Sequence, residues 1–305
     1  MTAKTGNTRP REIIFDTDWW TDVDDACALR LMLNAEKSHN IKLAGVCLSA
    51  VDGESFESMR KFLFYEGRGD LCFGADMEAN DYPGKSKWKK TIINSVETDL
   101  QADIDCPVED CVDFYRRLLS GAKGKVDIVA VGFPNTLARL LESGPDKWSR
   151  LSGIQLIRRK VGHLYLMAGQ FPEGKEHNIC LSERSRAAGV TVTSTWPGTI
   201  LFLGFEVGIR VKCGGQLPHT DLVHKVLVAH GSAGGRYAWD PLTSWIAILG
   251  SPEAAGFGTV RGTCIVDPID GSNTFIASPR GRHRYVTMLH EPSWYSTQLD
   301  AILKK

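Results

Sequence analysis

Short apolar runs alternate along the chain with segments in which apolar residues recur at helical spacing. The apolar runs predict strands and lie at 12–16, 41–49, 71–73, 126–131, 164–167, 190–194 and 200–203. The helical segments lie at 55–66, 108–119, 136–142, 182–188 and 220–229. This alternation predicts βαβ units, and therefore an α/β, Rossmann-like fold with a mainly parallel central sheet flanked by helices.

The chain shows no boundary that would divide it into separate domains. It has no internal repeat, no low-complexity tract and no long linker rich in Pro, Gly or Ser. We therefore expect one domain over residues 1–305, with a flexible N-terminal segment at 1–10. The segment 74–105 is polar and lacks clear periodicity, and loops of that length inside a compact domain are often functional.

The most distinctive polar segment follows the first predicted strand. Five aspartates stand within ten consecutive positions, at Asp16, Asp18, Asp22, Asp24 and Asp25. In open α/β sheets ligands bind beyond the carboxyl ends of the strands. Crowded carboxylates repel one another unless something neutralises them, and a hard cation with oxygen ligands is the simplest solution. A solvated acidic loop that caps the following helix through Asp22 or Asp24 is the alternative.

Two later strand ends also carry polar groups. The strand at 126–131 runs into a Gly/Pro turn, which could offer a backbone carbonyl to a cation. The strand at 164–167 is followed by a glycine turn and then by Glu176 and Asn178, which could donate to or accept from the hydroxyls of a polyol. Surface-loop chemistry explains both segments equally well when each is taken alone.

A third segment lies near residue 240, where Trp239 and Asp240 precede Pro241 and an apolar helical run. Asp240 could cap that helix with Pro241 in its first turn. Its carboxylate could equally reach a metal ion, and Trp239 could stack on a flat ligand.

Composition narrows the class of partner. The chain is 43% hydrophobic and 24% charged, and its 36 basic and 36 acidic residues give zero net charge. The short basic clusters at 85–90 and 158–160 are typical of solvated faces, so no nucleic acid polymer is expected as a partner. The polar N-terminus lacks the apolar core of a signal peptide, and no stretch approaches the length of a membrane span.

Cysteine usage indicates the compartment. Eight cysteines are scattered without a Cys-x-x-Cys pair, and most lie in apolar contexts typical of small buried thiols. This usage favours a cytoplasmic location.

Together these segments resemble the inosine-uridine nucleoside hydrolase (nucleoside N-ribohydrolase) family, over nearly the whole chain. The matching motifs are Asp16-Thr17-Asp18 with Asp24-Asp25-Ala26, Gly132-Phe133-Pro134-Asn135-Thr136, Met167-Ala168-Gly169, Glu176-His177-Asn178 and Asp240-Pro241-Leu242. Each motif is short, but the five follow one another in the order found in that family.

The resemblance implies the nucleoside hydrolase fold and a single Ca²⁺ ion at the bottom of a pocket. Its ligands would be the carboxylates of Asp18, Asp25 and Asp240 and the backbone carbonyl of Asn135. Asp18 would also accept the proton of the attacking water. Asp24 would bind the sugar 2′-hydroxyl. Asp52, Glu176 and Asn178 would bind the other hydroxyls.

The implied reaction is calcium-dependent hydrolysis of the N-glycosidic bond of ribonucleosides, giving free base and ribose, as in nucleoside salvage. Trp239 stands in a Tyr-Ala-Trp-Asp context like that of the purine-specific branch, which implies that Trp239 and Trp88 sandwich a purine. The resemblance also implies a small-molecule nucleoside as partner and a homodimer or homotetramer.

Two departures from the family pattern keep alternatives open. The acidic turn is two residues longer through Trp19–Val23, which leaves Asp22 as an alternative to Asp24 at the sugar. The segment from Met167 to Glu176 is about five residues short and lacks the asparagine that binds the 5′-hydroxyl. A modified nucleoside or another ribosyl substrate with an altered 5′ group is therefore the alternative substrate. A non-catalytic calcium- or ligand-binding relative is a further alternative, against which the retained aspartates argue.

Overall fold

The computed structural model describes residues 9–98 and 107–304. Residues 1–8 of the predicted N-terminal segment and 99–105 of the predicted loop lie outside the described residues. The strands are β1 Arg11–Thr17, β2 Ile41–Leu48, β3 Phe73–Ala75, β4 Glu109–Asp110, β5 Val126–Ala130, β6 Val161–Met167, β7 Glu173–Gly174, β8 Ile200–Leu203, β9 Lys212–Cys213, β10 Arg236–Tyr237, β11 Phe257–Val266, β12 Asn273–Ala277 and β13 His283–Met288. The helices are α1 Asp24–Glu36, α2 Ser55–Tyr65, α3 Lys89–Ser95, α4 Cys111–Gly121, α5 Asn135–Glu142, α6 Gly153–Lys160, α7 His177–Cys180, α8 Glu183–Thr195, α9 Phe205–Gly208, α10 Leu222–His230, α11 Trp239–Leu249 and α12 Pro292–Leu303.

Eleven strands form one sheet, in the order β4-β3-β2-β1-β5-β6-β8-β13-β11-β12-β7. All neighbouring pairs from β4 to β13 are parallel, and the pairs beyond β13 are antiparallel. The prediction of a mainly parallel central sheet flanked by helices is confirmed. β9 and β10 form a separate two-stranded ribbon.

Two apolar cores cover the two faces of the sheet, as expected for parallel strands buried on both sides. Ile13 and Phe15 of β1 point into a core shared with α1, α2, α10, α11 and α12. Ile14 points the other way, into a core shared with α4, α5, α6 and α8. This period-two alternation along a fully buried strand explains why β1 reads as a continuous apolar run.

The prediction of a strand at 190–194 is wrong, because these residues form the second half of α8. The run Val190-Thr191-Val192-Thr193 is β-branched and therefore favours a strand. A capping box between Ser182 and Ser185 starts a helix instead, and the helix buries Ala188 and Val192 against the sheet. Tertiary packing of one helix face thus outweighs the local β propensity.

Cys72 is disulfide-bonded, whereas Cys27, Cys47, Cys111, Cys180, Cys213 and Cys264 are free. Five of these six free thiols are buried, as the sequence predicts for most of the cysteines. Among the described residues, no helix combines the length and the apolar character that a membrane span requires.

Candidate active site

One cavity opens at the carboxyl ends of four adjacent parallel strands. Asp18 follows β1, Val131 follows β5, Met167 ends β6 and Phe205 follows β8, and all four residues line a cavity of about 250 Å³. This is the edge of an open α/β sheet where ligands bind. The fold therefore gathers, at one point, segments that are far apart in sequence.

Two helix N-termini bring the carboxylates of this cavity together. Asp24 and Asp25 lie in the first turn of α1, and Asp240 lies in the first turn of α11, which packs against α1. Each of the three offers an oxygen within 4.8 Å of the others. Their exposed fractions are 3%, 1% and 5%. The positive ends of both helix dipoles favour negative charge here.

The electrostatics of the cluster fit a bound cation. Burial, followed by repulsion from neighbouring aspartates, raises the pKa of Asp18 and of Asp240 well above the ordinary range. The same causes raise the pKa of Asp24, and burial raises that of Asp25 to about 6. Four carboxylates crowded at one cavity, three of them buried, are costly to ionise together in the absence of a compensating charge. Hard oxygen donors in this number fit a divalent cation such as Ca²⁺.

The lengthened acidic turn is anchored by a buried indole. Trp19 adopts φ 46°, in the left-handed region that residues other than glycine rarely enter. Its side chain is fully buried, its Nε1 donates to Ser58 Oγ at 3.0 Å, and its ring meets Trp88 and Phe62 edge-on. Its backbone N–H donates to Asp25 Oδ1 at 3.3 Å, so the turn also orients a cluster carboxylate.

An ion pair with Arg236 holds Asp22 outside the cluster of Asp24, Asp25 and Asp240. Arg236 Nε donates to Asp22 Oδ1 at 2.8 Å, and Arg236 Nη2 donates to Asp22 Oδ2 at 2.5 Å. Asp24 instead accepts from the backbone N–H of Asp240 at 3.1 Å. Of the two aspartates that the sequence leaves open, Asp24 is therefore the one whose carboxylate lies within the cluster.

Glu176 and Asn178 form another part of the cavity wall. Glu176 accepts the backbone N–H of Gly169 at 3.1 Å and that of Asn178 at 2.7 Å, and burial raises its pKa to about 7. The Asn178 amide donates to the carbonyls of Val131 at 2.8 Å and Met167 at 3.1 Å. These bonds fix both side chains against the ends of β5 and β6.

An aromatic wall faces the acids. Phe205 and Trp239 stack with ring centroids 5.5 Å apart at 24°, and Trp239 Nε1 donates to the Phe205 carbonyl at 2.9 Å. The Arg236 guanidinium lies 5.3 Å from the Trp239 ring centroid. Trp239 is only 9% exposed, so Phe205, which is half-buried, supplies much of the apolar surface of the cavity.

Two residues that the resemblance assigns to the sugar and the base lie elsewhere in this structure. Asp52 is absent from the cavity wall, and its carboxylate accepts from Lys89 Nζ at 2.8 Å and from Ser55 Oγ at 2.9 Å. Trp88 is also absent from the cavity wall, because it is fully buried against Trp19. Trp88 thus supports the acidic turn, and Asp52 joins the first turn of α2 to α3.

Asn135 likewise does not line the cavity. It begins α5, and its amide donates to the Ser49 carbonyl at 2.9 Å and to Asp76 Oδ2 at 2.6 Å. These bonds tie the turn after β5 to the end of β2.

The cavity wall includes residues that the sequence did not identify, and Phe205 and Arg236 are the most informative. Phe205 directly follows a predicted strand, and the strand-end rule applied there would have found it. The pairing of Arg236 with Asp22 spans 214 residues, and no local pattern signals it.

Gly132 lets the turn after β5 approach the acidic turn. A Cβ atom at this position would lie 2.2 Å from the backbone nitrogen of Asp18 and 2.4 Å from Ser49 Oγ. Only glycine allows the two backbones to come this close.

We expect Gly132→Ala to displace Asp18 and to destabilise the protein by about 1–3 kcal/mol or more, the usual cost of overpacking. Thermal unfolding and calcium binding would measure both effects. Gly124→Ala is the matched control, because a Cβ there meets nothing within 4 Å. Equal effects of the two substitutions would show that the close approach is unimportant.

No protein-family model and no curated protein matches the chain. Among solved structures, it is similar to an inosine-uridine preferring nucleoside hydrolase from Bacillus anthracis, with TM-score 0.68 and 18% identity over 95% of this chain and 98% of that one. It is similar to a purine-preferring ribonucleoside hydrolase from Gardnerella vaginalis, with TM-score 0.70 and 16% identity over 96% and 99%. It is also similar to the type III effector protein XopQ, solved with adenosine diphosphate ribose, with TM-score 0.65 and 14% identity over 96% and 92%. The chain therefore has the nucleoside hydrolase fold.

Proposed function

We propose that this protein is a calcium-dependent N-ribohydrolase, which cleaves the N-glycosidic bond of ribonucleosides to free base and ribose. The observation that carries the proposal is the cluster of buried carboxylates facing an aromatic wall, at the sheet edge where this fold opens. A homodimer or homotetramer and a cytoplasmic location remain predictions from the sequence.

The proposed calcium ligands are the carboxylates of Asp18, Asp25 and Asp240. The backbone carbonyl of Asn135, which the resemblance adds to this set, would reach the ion only after a shift of the turn that follows β5, because Asn135 does not line the cavity. Asp24 is proposed to bind the sugar 2′-hydroxyl. Its oxygen lies within 4.8 Å of those of Asp25 and Asp240, a position from which it can reach a hydroxyl held beside the ion. Bound calcium would hold ribose hydroxyls and make a neighbouring water more acidic.

Asp18 is the proposed general base. It lies at the end of β1, lines the cavity, and has a raised pKa that makes its carboxylate a better proton acceptor than an ordinary aspartate. Cleavage of a glycosidic bond passes through an oxocarbenium-like transition state. The negative charge of the surrounding carboxylates stabilises the positive charge that develops on the sugar.

Glu176 and Asn178 also line the cavity, with orientations fixed by hydrogen bonds, and are proposed to bind further hydroxyls. The leaving base is proposed to lie against Phe205 and Trp239, since every base offers a flat face for stacking. A purine preference remains a prediction from the Tyr-Ala-Trp-Asp context of Trp239. Asp52 and Trp88 would contact the substrate only after a rearrangement of the loop that now buries Trp88.

A ribosyl substrate with an altered 5′ group is the second candidate. One specific observation favours it, namely the similarity to an effector protein that was solved with adenosine diphosphate ribose. The short segment before Glu176, which lacks the expected asparagine, agrees with a changed 5′ site.

The test is release of free ribose from inosine, guanosine, adenosine, uridine and cytidine, with adenosine diphosphate ribose in parallel. We expect cleavage of the purine nucleosides in the presence of Ca²⁺ and none in the presence of a chelator. Release of a ribosyl product only from adenosine diphosphate ribose would favour the second candidate. Binding of these compounds without any cleavage would point to a non-catalytic relative.

A further inference from the structure

The Asp22–Arg236 pair joins the lengthened part of the acidic turn to the ribbon strand β10. Both guanidinium nitrogens on one edge of Arg236, Nε and Nη2, donate to the two oxygens of Asp22. Such a bidentate pair fixes the plane of the guanidinium as well as its position. Both residues line the cavity.

The remaining nitrogen of this guanidinium, Nη1, has no hydrogen-bond partner among the described residues. Arg236 is also the single lysine or arginine among the described residues that line the cavity. Its guanidinium lies 5.3 Å from the centroid of the Trp239 ring, at the aromatic wall, and is close enough to Asp24 for their charges to attract. A permanent cation with free N–H groups therefore lies beside the aromatic wall, where it can reach the edge of a base that packs against Phe205.

We propose that Arg236 contacts the leaving base and stabilises the negative charge that the base gains as the glycosidic bond breaks, and that Asp22 positions it. This inference rests on the proposed function. The substrates are nucleosides whose base carries a carbonyl oxygen or an unprotonated ring nitrogen on the edge facing Arg236.

Hydrolysis by this route needs no reactant other than water. The C1′–N bond breaks and its electron pair goes to the base nitrogen, while the water oxygen bonds to C1′ and its proton passes to Asp18. Arg236 donates a hydrogen bond to the base and keeps its own proton, because guanidinium does not deprotonate in proteins. Solvent then protonates the base. Arg236 thus supplies electrostatic stabilisation and does not act as a general acid.

The test compares two leaving groups in the full-length protein loaded with calcium. Inosine leaves through a base that needs stabilisation, whereas 4-nitrophenyl β-D-ribofuranoside releases an anion that is already stable. We expect Arg236→Met to lower kcat on inosine by about 10²–10³-fold, the usual cost of one donor at a developing anion. On the nitrophenyl riboside the same variant should lose less than about tenfold.

Asp22→Asn keeps the guanidinium charged but loosens its position, and we expect a smaller loss with the same bias toward inosine. Arg159→Met is the matched control, since Arg159 is exposed on α6, away from the cavity. Calcium titration by calorimetry shows whether each variant keeps an intact site.

The outcomes separate the two proposals. Equal losses on both substrates in Arg236→Met, or no loss on inosine, would overturn the role of Arg236 and leave the hydrolase proposal standing. Failure of the unmodified protein to cleave either compound would overturn both proposals.

Discussion

Replacing Asp240 with asparagine is expected to abolish calcium binding and to lower ribose release from inosine by at least about 10³-fold, the equivalent of several kcal/mol of metal-ion stabilisation. The same substitution should stabilise the metal-free protein. Asp240 is buried among Asp18, Asp24 and Asp25, whose charges repel its own and raise its pKa. An asparagine of nearly the same shape removes that repulsion.

Calorimetric unfolding in chelator and in calcium measures both halves of this prediction. In chelator the melting temperature of Asp240→Asn should rise by about 2–4 °C for each kcal/mol of relieved repulsion. Added calcium should raise the melting temperature of the unmodified protein and leave the variant unchanged. Asp267→Asn, which removes an exposed carboxylate away from the cavity, is the matched control. A variant that still gains stability from calcium would contradict the assignment of Asp240.

Replacing Asp18 with asparagine is expected to lower kcat on inosine by about 10²–10⁴-fold, the usual contribution of a positioned general base. The amide cannot accept the proton of the attacking water. Its oxygen can still accept the backbone N–H of Trp20, which donates to Asp18 Oδ1 at 3.3 Å. The turn should therefore keep its conformation. Because Asp18 is also a proposed calcium ligand, the variant is measured at saturating Ca²⁺, where the loss should appear mainly in kcat.

Asp24→Asn is the comparison for this measurement, because Asp24 is proposed to bind a hydroxyl and not to take a proton. We expect a rise in KM for Asp24→Asn that exceeds its fall in kcat. If Asp24→Asn lost as much kcat as Asp18→Asn, the division of roles between the two aspartates would be wrong.

The sequence predicts this fold well where one periodicity dominates. β1, β2, β5 and β8 are buried apolar runs followed by turns, and their carboxyl ends meet at one edge because parallel strands share a direction. The common direction of the parallel strands is enough to place the acidic turn at the sheet edge where the cavity opens. The strand prediction fails at 190–194, where burial of a helix face outweighs β-branched propensity.

The site is less predictable than the fold because several of its parts depend on distant partners. Lys89 donates a hydrogen bond to Asp52, and Trp19 packs against Trp88. Arg236 forms an ion pair with Asp22 outside the carboxylate cluster. Each of these contacts depends on the path of a loop and has no periodic signature. The sequence pattern does not predict the strands β11, β12 and β13 either, because their mixed burial gives no continuous apolar run.

The central claim is that the buried acids hold a calcium ion that hydrolysis of a nucleoside requires. The most direct test is ribose release from inosine by protein stripped of metal and then titrated with Ca²⁺. We expect no release from the stripped protein and a rise that saturates at one calcium ion per chain. Undiminished release from the stripped protein, or a stripped protein that calcium neither binds nor activates, would contradict the claim.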